Sequence, residues 1–126
     1  MPRILIVDDD ESLKKIYSRF LIAEGFNVIK ARNGEEALLI SGEKNIDVIL
    51  LDIRMPIVNG LIAASALQQC YPNAKTIVFS CYSVEFQKKM VTDADGYFNK
   101  SEGCIALLSK IQSVLSPGLL QSVTKV

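Results

Sequence analysis

The chain has 126 residues, 49% of them hydrophobic, which suits one domain with a substantial core and is too short for two ordinary domains. Lysine and arginine together number 14, as do aspartate and glutamate, so we expect neither direct nucleic-acid binding nor attraction to anionic lipid. The absence of histidine excludes from this chain alone a Ser-His-Asp triad, a Cys-His pair, a histidine-ligated zinc site and a phosphohistidine carrier.

The first predicted unit is a buried strand followed by a helix. Residues 4–7 are Ile-Leu-Ile-Val, a run typical of a central strand covered on both faces. This run is far too short for a secretory core or a membrane span, so we expect a cytoplasmic protein. The helix should end near Gly25 and bury an apolar face made of Leu13, Ile16, Tyr17, Phe20 and Leu21. Its opposite, solvated face is made of Lys14, Lys15, Ser18 and Arg19.

Two further strand-helix units follow. Residues 26–30 predict a short strand, and a helix beginning near Gly34 should turn Ala37, Leu38 and Ile40 inward. Residues 46–51 are the most apolar run and predict the middle strand of the sheet. A loop over residues 54–60, which contains Pro56, leads to a helix at about residues 61–70.

The last two units complete the pattern. Residues 75–79 predict a fourth strand that ends at Ser80, residues 84–91 a helix, and residues 97–98 a short fifth strand. A final helix, closed by residues 117–118, has an apolar face made of Ile105, Leu107, Leu108, Ile111, Val114 and Leu115. Five alternating β-α units indicate an α/β fold with a parallel sheet, right-handed crossovers and helices on both faces. We expect this domain to span residues 1–118, with residues 119–126 forming a tail or the start of a linker.

Ionisable or polar residues follow four of the predicted strands at the point where each strand ends. Asp8 and Asp9 follow the first strand, Asp52 the third, Ser80 ends the fourth, and Lys100 follows the fifth. Because the carboxyl ends of parallel strands lie on one edge of a sheet, these groups should converge in one crevice.

The chemistry of these residues favours a divalent cation and a phosphoryl group. Neighbouring carboxylates repel each other unless a cation relieves them, and oxygen-only ligands suit Mg²⁺ or Mn²⁺ better than zinc. A lysine and a hydroxyl beside a metal-bound carboxylate form a pocket for phosphoryl oxygens. Asp10 is better explained as the N-cap of the first helix. The odd set Cys70, Cys81 and Cys104 favours reduced thiols that contribute to packing.

Together these motifs resemble the receiver domain of response regulators in two-component signalling. The resemblance runs from about residue 3 to 116. It is carried by residues 4–10 (Ile-Leu-Ile-Val-Asp-Asp-Asp), 50–60 (Leu-Leu-Asp-Ile-Arg-Met-Pro-Ile-Val-Asn-Gly), Ser80 and 96–100 (Gly-Tyr-Phe-Asn-Lys). It implies the flavodoxin-like receiver fold, with a five-stranded parallel sheet in the order 2-1-3-4-5.

The resemblance also implies roles in phosphoryl transfer. Asp52 matches the phosphoacceptor, which takes a phosphoryl group from a phosphohistidine. Asp9 matches the direct ligand of Mg²⁺ or Mn²⁺, Asp8 supports the ion, and Asp52 and the backbone carbonyl of Arg54 complete the protein ligands. Lys100 matches the cation that contacts Asp52 in the free protein and a phosphoryl oxygen after transfer.

Two further residues match the switch that follows transfer. The Ser80 hydroxyl is expected to move toward the phosphoryl group, and the Tyr97 ring to turn into the space it leaves. The chain departs from the family in having Ser101 rather than proline after Lys100, so we predict a trans bond there. The stretch from Ser80 to Lys100 is also a couple of residues shorter than in many members.

The resulting hypothesis is a regulatory domain rather than an enzyme, with self-phosphorylation and self-dephosphorylation only. Its partners would be a histidine kinase or histidine phosphotransferase and a downstream protein, and a phosphorylation-dependent dimer is left open. The alternative is a Mg²⁺-dependent aspartyl phosphatase or phosphotransferase, but Arg54 stands where such enzymes carry a second aspartate. A flavodoxin-like cofactor binder fits less well, because a flavin phosphate favours amides and hydroxyls over acidic side chains after the first strand. A receiver that binds partners without being phosphorylated is a further variant.

Overall fold

The structure, a computed structural model, describes residues 2–40, 45–53 and 60–115. Strands and helices alternate as the sequence predicts. The strands are β1 (Arg3–Val7), β2 (Asn27–Ala31), β3 (Val48–Leu51), β4 (Lys75–Ser80) and β5 (Gly96–Asn99). The helices are α1 (Glu11–Ala23), α2 (Gly34–Ile40), α3 (Gly60–Cys70), α4 (Val84–Met90) and α5 (Cys104–Leu115). A short 3-10 turn (Lys100–Glu102) joins β5 to α5.

The five strands form one parallel sheet in the order β2-β1-β3-β4-β5, which confirms the predicted fold class and strand order. The register aligns the carboxyl ends of the central strands, because Val7 lies opposite Leu51 and Leu51 lies opposite Val78. All four residues of β3 are fully buried, as expected for a strand with helices on both sides. Groups that follow these strands therefore meet at one edge.

Two apolar cores lie on opposite faces of the sheet, because successive strand residues point to opposite sides. Leu5, Val7, Ile49 and Leu51 belong to the core that includes residues of α2 and α3. Ile4, Ile6, Val48 and Leu50 belong to the core that includes residues of α1 and α5. The helices are thus held to the sheet on both sides, which leaves the edge at the strand ends accessible.

The predicted faces of α1 and α5 were wrong at several positions. Ile16 and Ile105 are 55% and 80% exposed, although both were placed on apolar inward faces. Lys14 and Ser18, placed on the solvated face, are buried. The buried stripe of α1 runs through Lys14, Tyr17, Ser18 and Leu21. The buried residues of α1 have helical spacing, but this stripe is shifted by about one residue toward the C-terminus from the stripe that hydrophobicity indicates.

The remaining differences are small. β2 begins one residue later than predicted, at Asn27, and β3 begins at Val48 rather than at residue 46. The inward placement of Ala37, Leu38 and Ile40 is confirmed. The predicted loop containing Pro56, the closing pair at residues 117–118 and the tail at 119–126 lie outside the described residues.

All three cysteines are free, as expected, but Cys70 and Cys81 are exposed, so the packing role predicted for these two was wrong. Within the ranges that the structure describes, none of the helices combines the length and apolar character needed to cross a membrane.

Candidate functional site

Three predicted site residues meet in a buried position at the carboxyl edge of the sheet. Asp8, Asp52 and Lys100 are 0%, 4% and 9% exposed. The backbone fixes both carboxylates, because the Asp8 N–H donates to the Ala31 carbonyl at 3.0 Å and the Asp52 N–H donates to the Val7 carbonyl at 2.9 Å. These bonds extend the sheet hydrogen bonding by one residue, so the carboxylates sit directly on the strand ends.

Asp8, Asp9 and Asp52 form an acidic cluster. One carboxylate oxygen from each lies within 4.8 Å of the others, a spacing at which all three can ligate one ion. Asp9 is exposed while the other two are buried, so the cluster is open to solvent on one side. Oxygen donors of this kind fit a hard divalent cation. The carbonyl of Arg54, the fourth predicted protein ligand, lies outside the described residues.

Lys100 neutralises part of this acidic cluster. Its Nζ donates to an Asp8 carboxylate oxygen at 2.6 Å and to an Asp52 carboxylate oxygen at 3.0 Å. The same Nζ lies 4.9 Å from the centre of the Phe79 ring. Burial by itself lowers the pKa of Lys100, but the hydrogen bond to Asp8 and the charge of Asp52 outweigh burial and raise the pKa above its usual 10.5. The lysine is therefore held as a cation.

The backbone of Lys100 is also held in place. The Tyr17 hydroxyl donates to the Lys100 carbonyl at 3.1 Å. A capping box closes the 3-10 turn, in which the Asn99 side chain accepts from the Ser101 N–H and Glu102 accepts from the Asn99 N–H. The Lys100–Ser101 bond is trans, as predicted. The sequence does not indicate this hydrogen bond of Tyr17, because an aromatic residue on a helix carries no sign of a carbonyl partner 83 residues away.

Lys14, predicted to be solvated, supports the turn between β1 and α1 instead. Its Nζ donates to the Asp8 carbonyl at 2.9 Å and to the Glu11 carboxylate at 2.9 Å. Asp10 is the N-cap of α1, as predicted, because its side chain accepts from the Leu13 N–H. The Asp10 N–H in turn donates to the Asp8 carboxylate at 2.9 Å. The turn that carries the acidic cluster is thus bonded at several points.

The two predicted switch residues lie on the neighbouring strands β4 and β5. Ser80 is fully buried at the end of β4, and its Oγ accepts from the Tyr82 N–H at 3.1 Å. Tyr97 is half-buried against the core that includes α2 and α3, and its hydroxyl donates to the Val91 carbonyl. The Lys88 Nζ lies 5.8 Å from the centre of the Tyr97 ring.

A small hollow opens onto the site. It has a volume of about 150 Å³, and the described residues that line it are Asp9, Asp10, Leu13, Asp52, Cys81 and Lys100. The structure therefore brings Asp9, Asp52 and Lys100 to one opening, with Asp8 buried behind them; Ser80 is not among the described lining residues. A hollow with carboxylates on one side and an ammonium on the other suits a small anion bound beside a cation.

The sequence matches one protein family and several curated proteins. The family model described as "Response regulator receiver domain" matches residues 4–112. The transcriptional regulatory protein CpxR of Escherichia coli strain K12 is 35% identical over 117 residues, covering 91% of this chain and 50% of CpxR. The transcriptional regulatory protein DegU of Brevibacillus brevis is 36% identical over 120 residues, covering 92% of this chain and 51% of DegU. The chain thus spans about half the length of these curated relatives.

Solved structures agree with the observed fold. The response regulator protein TrrA of Thermotoga maritima, crystallised in complex with Mg²⁺ and beryllium fluoride, superposes with a TM-score of 0.81 at 35% identity, covering 91% of this chain and 100% of TrrA. A CheY-like receiver domain protein from Methanospirillum hungatei JF-1 gives a TM-score of 0.85 at 28% identity, with 93% and 95% of the two chains covered.

Proposed function

Since this chain belongs to the family of response regulator receiver domains of two-component systems, we propose that it is a signalling switch whose phosphoacceptor is Asp52. One observation carries the proposal. The Lys100 Nζ bonds both Asp52 and Asp8 in a cluster where three carboxylates lie close enough to share one cation. In this proposal Asp52 supplies the nucleophilic oxygen, Lys100 the fixed positive charge, and the three carboxylates the oxygen ligands for a cation.

The proposed reaction is transfer of a phosphoryl group from a phosphohistidine. A carboxylate oxygen of Asp52 attacks the phosphorus, a P–O bond forms, the P–N bond breaks, and the imidazole departs with the electron pair of that bond. Asp52 suits this step because its backbone N–H is fixed to β1 and its side chain reaches the hollow. The product is an acyl phosphate on the end of β3.

Asp8, Asp9, Asp52 and the backbone carbonyl of Arg54 would hold Mg²⁺ or Mn²⁺. When bound, the ion supplies positive charge close to the phosphoryl oxygens. Support comes from the 4.8 Å spacing of the three carboxylate oxygens and from the exposure of Asp9, which gives an ion access from solvent. The related protein TrrA was crystallised with Mg²⁺ and a beryllium fluoride group.

Lys100 has two tasks in this proposal. Before transfer it neutralises the buried carboxylates of Asp8 and Asp52. After transfer it contacts a phosphoryl oxygen, while its bond to Asp8 keeps the ammonium in the site. Preorganised positive charge of this kind stabilises negative charge that develops during the reaction. The hydroxyl of Tyr17 supports this placement through the Lys100 carbonyl.

The proposed output is a change in conformation beside the site. The Ser80 hydroxyl moves toward the phosphoryl group, and the Tyr97 ring follows into the vacated space, which alters the face that includes α4 and β5. The phosphoryl group acts as a ligand that binds one of two conformations more tightly. The donor would be a histidine kinase or phosphotransferase in the cytoplasm, and the receiver of the signal a downstream protein. The chain itself acts as a regulatory domain rather than as an enzyme.

Phosphorylation by a small donor tests the proposal. Incubation with acetyl phosphate and Mg²⁺ should add the mass of one phosphoryl group to the intact wild-type protein, and Asp52→Asn should abolish the gain. Asp47→Asn is the matched control, because Asp47 is an exposed carboxylate that precedes β3 at the opposite end of the same strand. No gain in the wild type, or an equal gain in Asp52→Asn, would refute Asp52 as the phosphoacceptor.

A further inference from the structure

Gln87 on α4 is a fully buried polar side chain that the proposed mechanism does not use. Its amide Nε2 donates to the carbonyls of Tyr82 and Phe98, each at 2.9 Å, and lies 3.4 Å from the carbonyl of Ser80. One amide group therefore contacts three backbone carbonyls from two different parts of the chain. Ser80 and Tyr82 belong to the end of β4 and the loop after it, whereas Phe98 belongs to β5.

The orientation of this amide is determined by its partners. All three contacts are carbonyl oxygens, which only accept hydrogen bonds, so the donor nitrogen must face them. The Gln87 Oε1 is consequently turned away, and among the described residues this buried oxygen has no hydrogen-bond donor. A buried amide that satisfies its donors and not its acceptor is held in place by what its nitrogen binds.

The loop after β4 is bonded to β5 through this amide and one neighbour. The Tyr82 carbonyl also accepts from the Asn99 side chain at 3.1 Å, so it is bonded both by Gln87 of α4 and by Asn99 of β5. The Tyr82 N–H donates to the Ser80 Oγ. The hydroxyl proposed to move and β5, which carries Tyr97 and leads into Lys100, are therefore joined through Tyr82, beyond the point where the pairing of β4 with β5 ends at Ser80.

We propose that Gln87 is a positioning residue that couples the loop holding Ser80 to β5, so that a displacement at Ser80 reaches Tyr97, Phe98 and Lys100. This coupling would serve the proposed switch, and its biological role rests on the proposed function. Physically it needs only the buried amide, because a single rigid group that binds both segments makes the movement of one costly without the other. The hydrogen bonds between β4 and β5 and the bond from the Asn99 side chain to the Tyr82 carbonyl are the competing routes.

Amide chemical shifts of the full ¹⁵N-labelled chain distinguish these routes. Addition of Mg²⁺ and beryllofluoride to the wild type should shift the amides of residues 80–83 and of residues 96–99. In Gln87→Met, which keeps the side-chain length and removes the amide, the loop should still respond while the β5 shifts fall below half of their wild-type size. Gln112→Met, the same change at an exposed position on α5, should match the wild type. An undiminished β5 response in Gln87→Met would show that the ladder or the Asn99 bond carries the coupling and would overturn the proposal.

A second arm needs no phosphoryl mimic. If beryllofluoride leaves the wild type unchanged, the proposed function fails, and Ser80→Ala becomes the perturbation in the ligand-free protein. Its effect on the β5 amides should then fall below half when Gln87→Met is added, and an unchanged effect would reject the coupling.

Two further measurements test the proposal if Gln87→Met does not fold. Gln87→Asn keeps an amide that is one carbon too short to reach both segments, so it should reduce the β5 response as Gln87→Met does. In a chain that retains Gln87, the Nε2 protons should themselves shift with beryllofluoride or with Ser80→Ala. Side-chain amide signals that stay fixed under both perturbations would contradict the proposal without any substitution at Gln87.

Discussion

Lys100 illustrates how one residue balances the charge of the site. Its ammonium bonds two carboxylates that are themselves almost completely buried. A buried carboxylate without a partner is costly, and removing one member of a buried ion pair typically destabilises a protein strongly. The aromatic ring of Phe79 adds a favourable contact to the same cation. Lys100 therefore contributes to folding as well as to the proposed chemistry.

Lys100→Met, which keeps most of the side-chain volume, should lower the free energy of unfolding at neutral pH by roughly 3 kcal/mol in the presence of a chelator. The folded-state pKa of Lys100 lies above its usual 10.5, so the lysine's contribution is complete below about pH 10.5 and is lost as the pH rises through the raised value. Urea unfolding of both proteins across this range measures the difference. A difference that disappears already near neutral pH would contradict the assignment.

Tyr17→Phe removes the hydroxyl that binds the Lys100 carbonyl and keeps the ring that packs edge-on against Phe79. The buried carbonyl loses a hydrogen bond, so we expect the free energy of unfolding to fall by about 1 kcal/mol. Denaturant unfolding compares Tyr17→Phe with the wild type, and an unchanged free energy of unfolding would argue against the role given to Tyr17.

At the scale of elements, the sequence predicts which segments are strands and helices better than which side chains they bury. Long apolar runs such as residues 4–7 and 48–51 are distinctive because they are covered on both faces. The face of α1 was misassigned because Lys14, a charged residue that hydrophobicity turns outward, is buried where its ammonium bonds the Asp8 carbonyl and Glu11. One sequence pattern could have indicated buried polar positions of this kind, namely a polar residue spaced three or four residues from apolar ones on a helix. Gln87 shows this pattern, three residues after Val84 and four before Val91.

The same limit applies to the site. Its members could be placed on one edge because strand ends converge in a parallel sheet. The contact of Lys100 with Asp8 and the bond from Tyr17 depend on side-chain distances that link residues far apart in sequence. The contacts of Gln87 likewise depend on distances between α4, the loop after β4 and β5. Local patterns carry no information about these distances.

The first turn of α1 supplies a test at this scale. Lys14→Met should fill the same space but leave the Asp8 carbonyl and Glu11 without their shared donor. We expect the free energy of unfolding to fall by about 1–2 kcal/mol, since hydrogen bonds from charged groups exceed neutral ones. Lys15→Met, the same change at the neighbouring exposed position, should have little effect. Equal stability of the two variants in denaturant unfolding would show that the buried contacts of Lys14 contribute nothing.

At the scale of the whole molecule, the site connects three strands of the sheet with the two helices that pack on one of its faces. Lys100 lies where β5 joins α5, Asp8 and Asp9 where β1 joins α1, and Asp52 after β3. An ion that binds the folded cluster and not the unfolded chain therefore stabilises the entire domain, by an amount set by its concentration and affinity.

Mg²⁺ should raise the free energy of unfolding of the wild type by about 2.7 kcal/mol when its free concentration is about one hundred times its dissociation constant. Asp9→Asn should remove most of this increase. In the presence of a chelator the same variant should be more stable than the wild type by up to about 1 kcal/mol, because one repelling carboxylate is gone. Asp47→Asn, which removes an exposed carboxylate at the opposite end of β3, is the control. Thermal or urea unfolding with and without Mg²⁺ measures both effects, and a full Mg²⁺ response in Asp9→Asn would exclude Asp9 as a ligand.

The sharing of one ammonium between Asp8 and Asp52 means that the domain carries a tethered counter-ion of its own. A covalently attached cation cannot be diluted or chelated, so the carboxylates stay partly compensated when no free ion is present. The fold therefore keeps part of its charge compensation when divalent ions are scarce, while an ion bound at the acidic cluster adds stability that depends on its concentration.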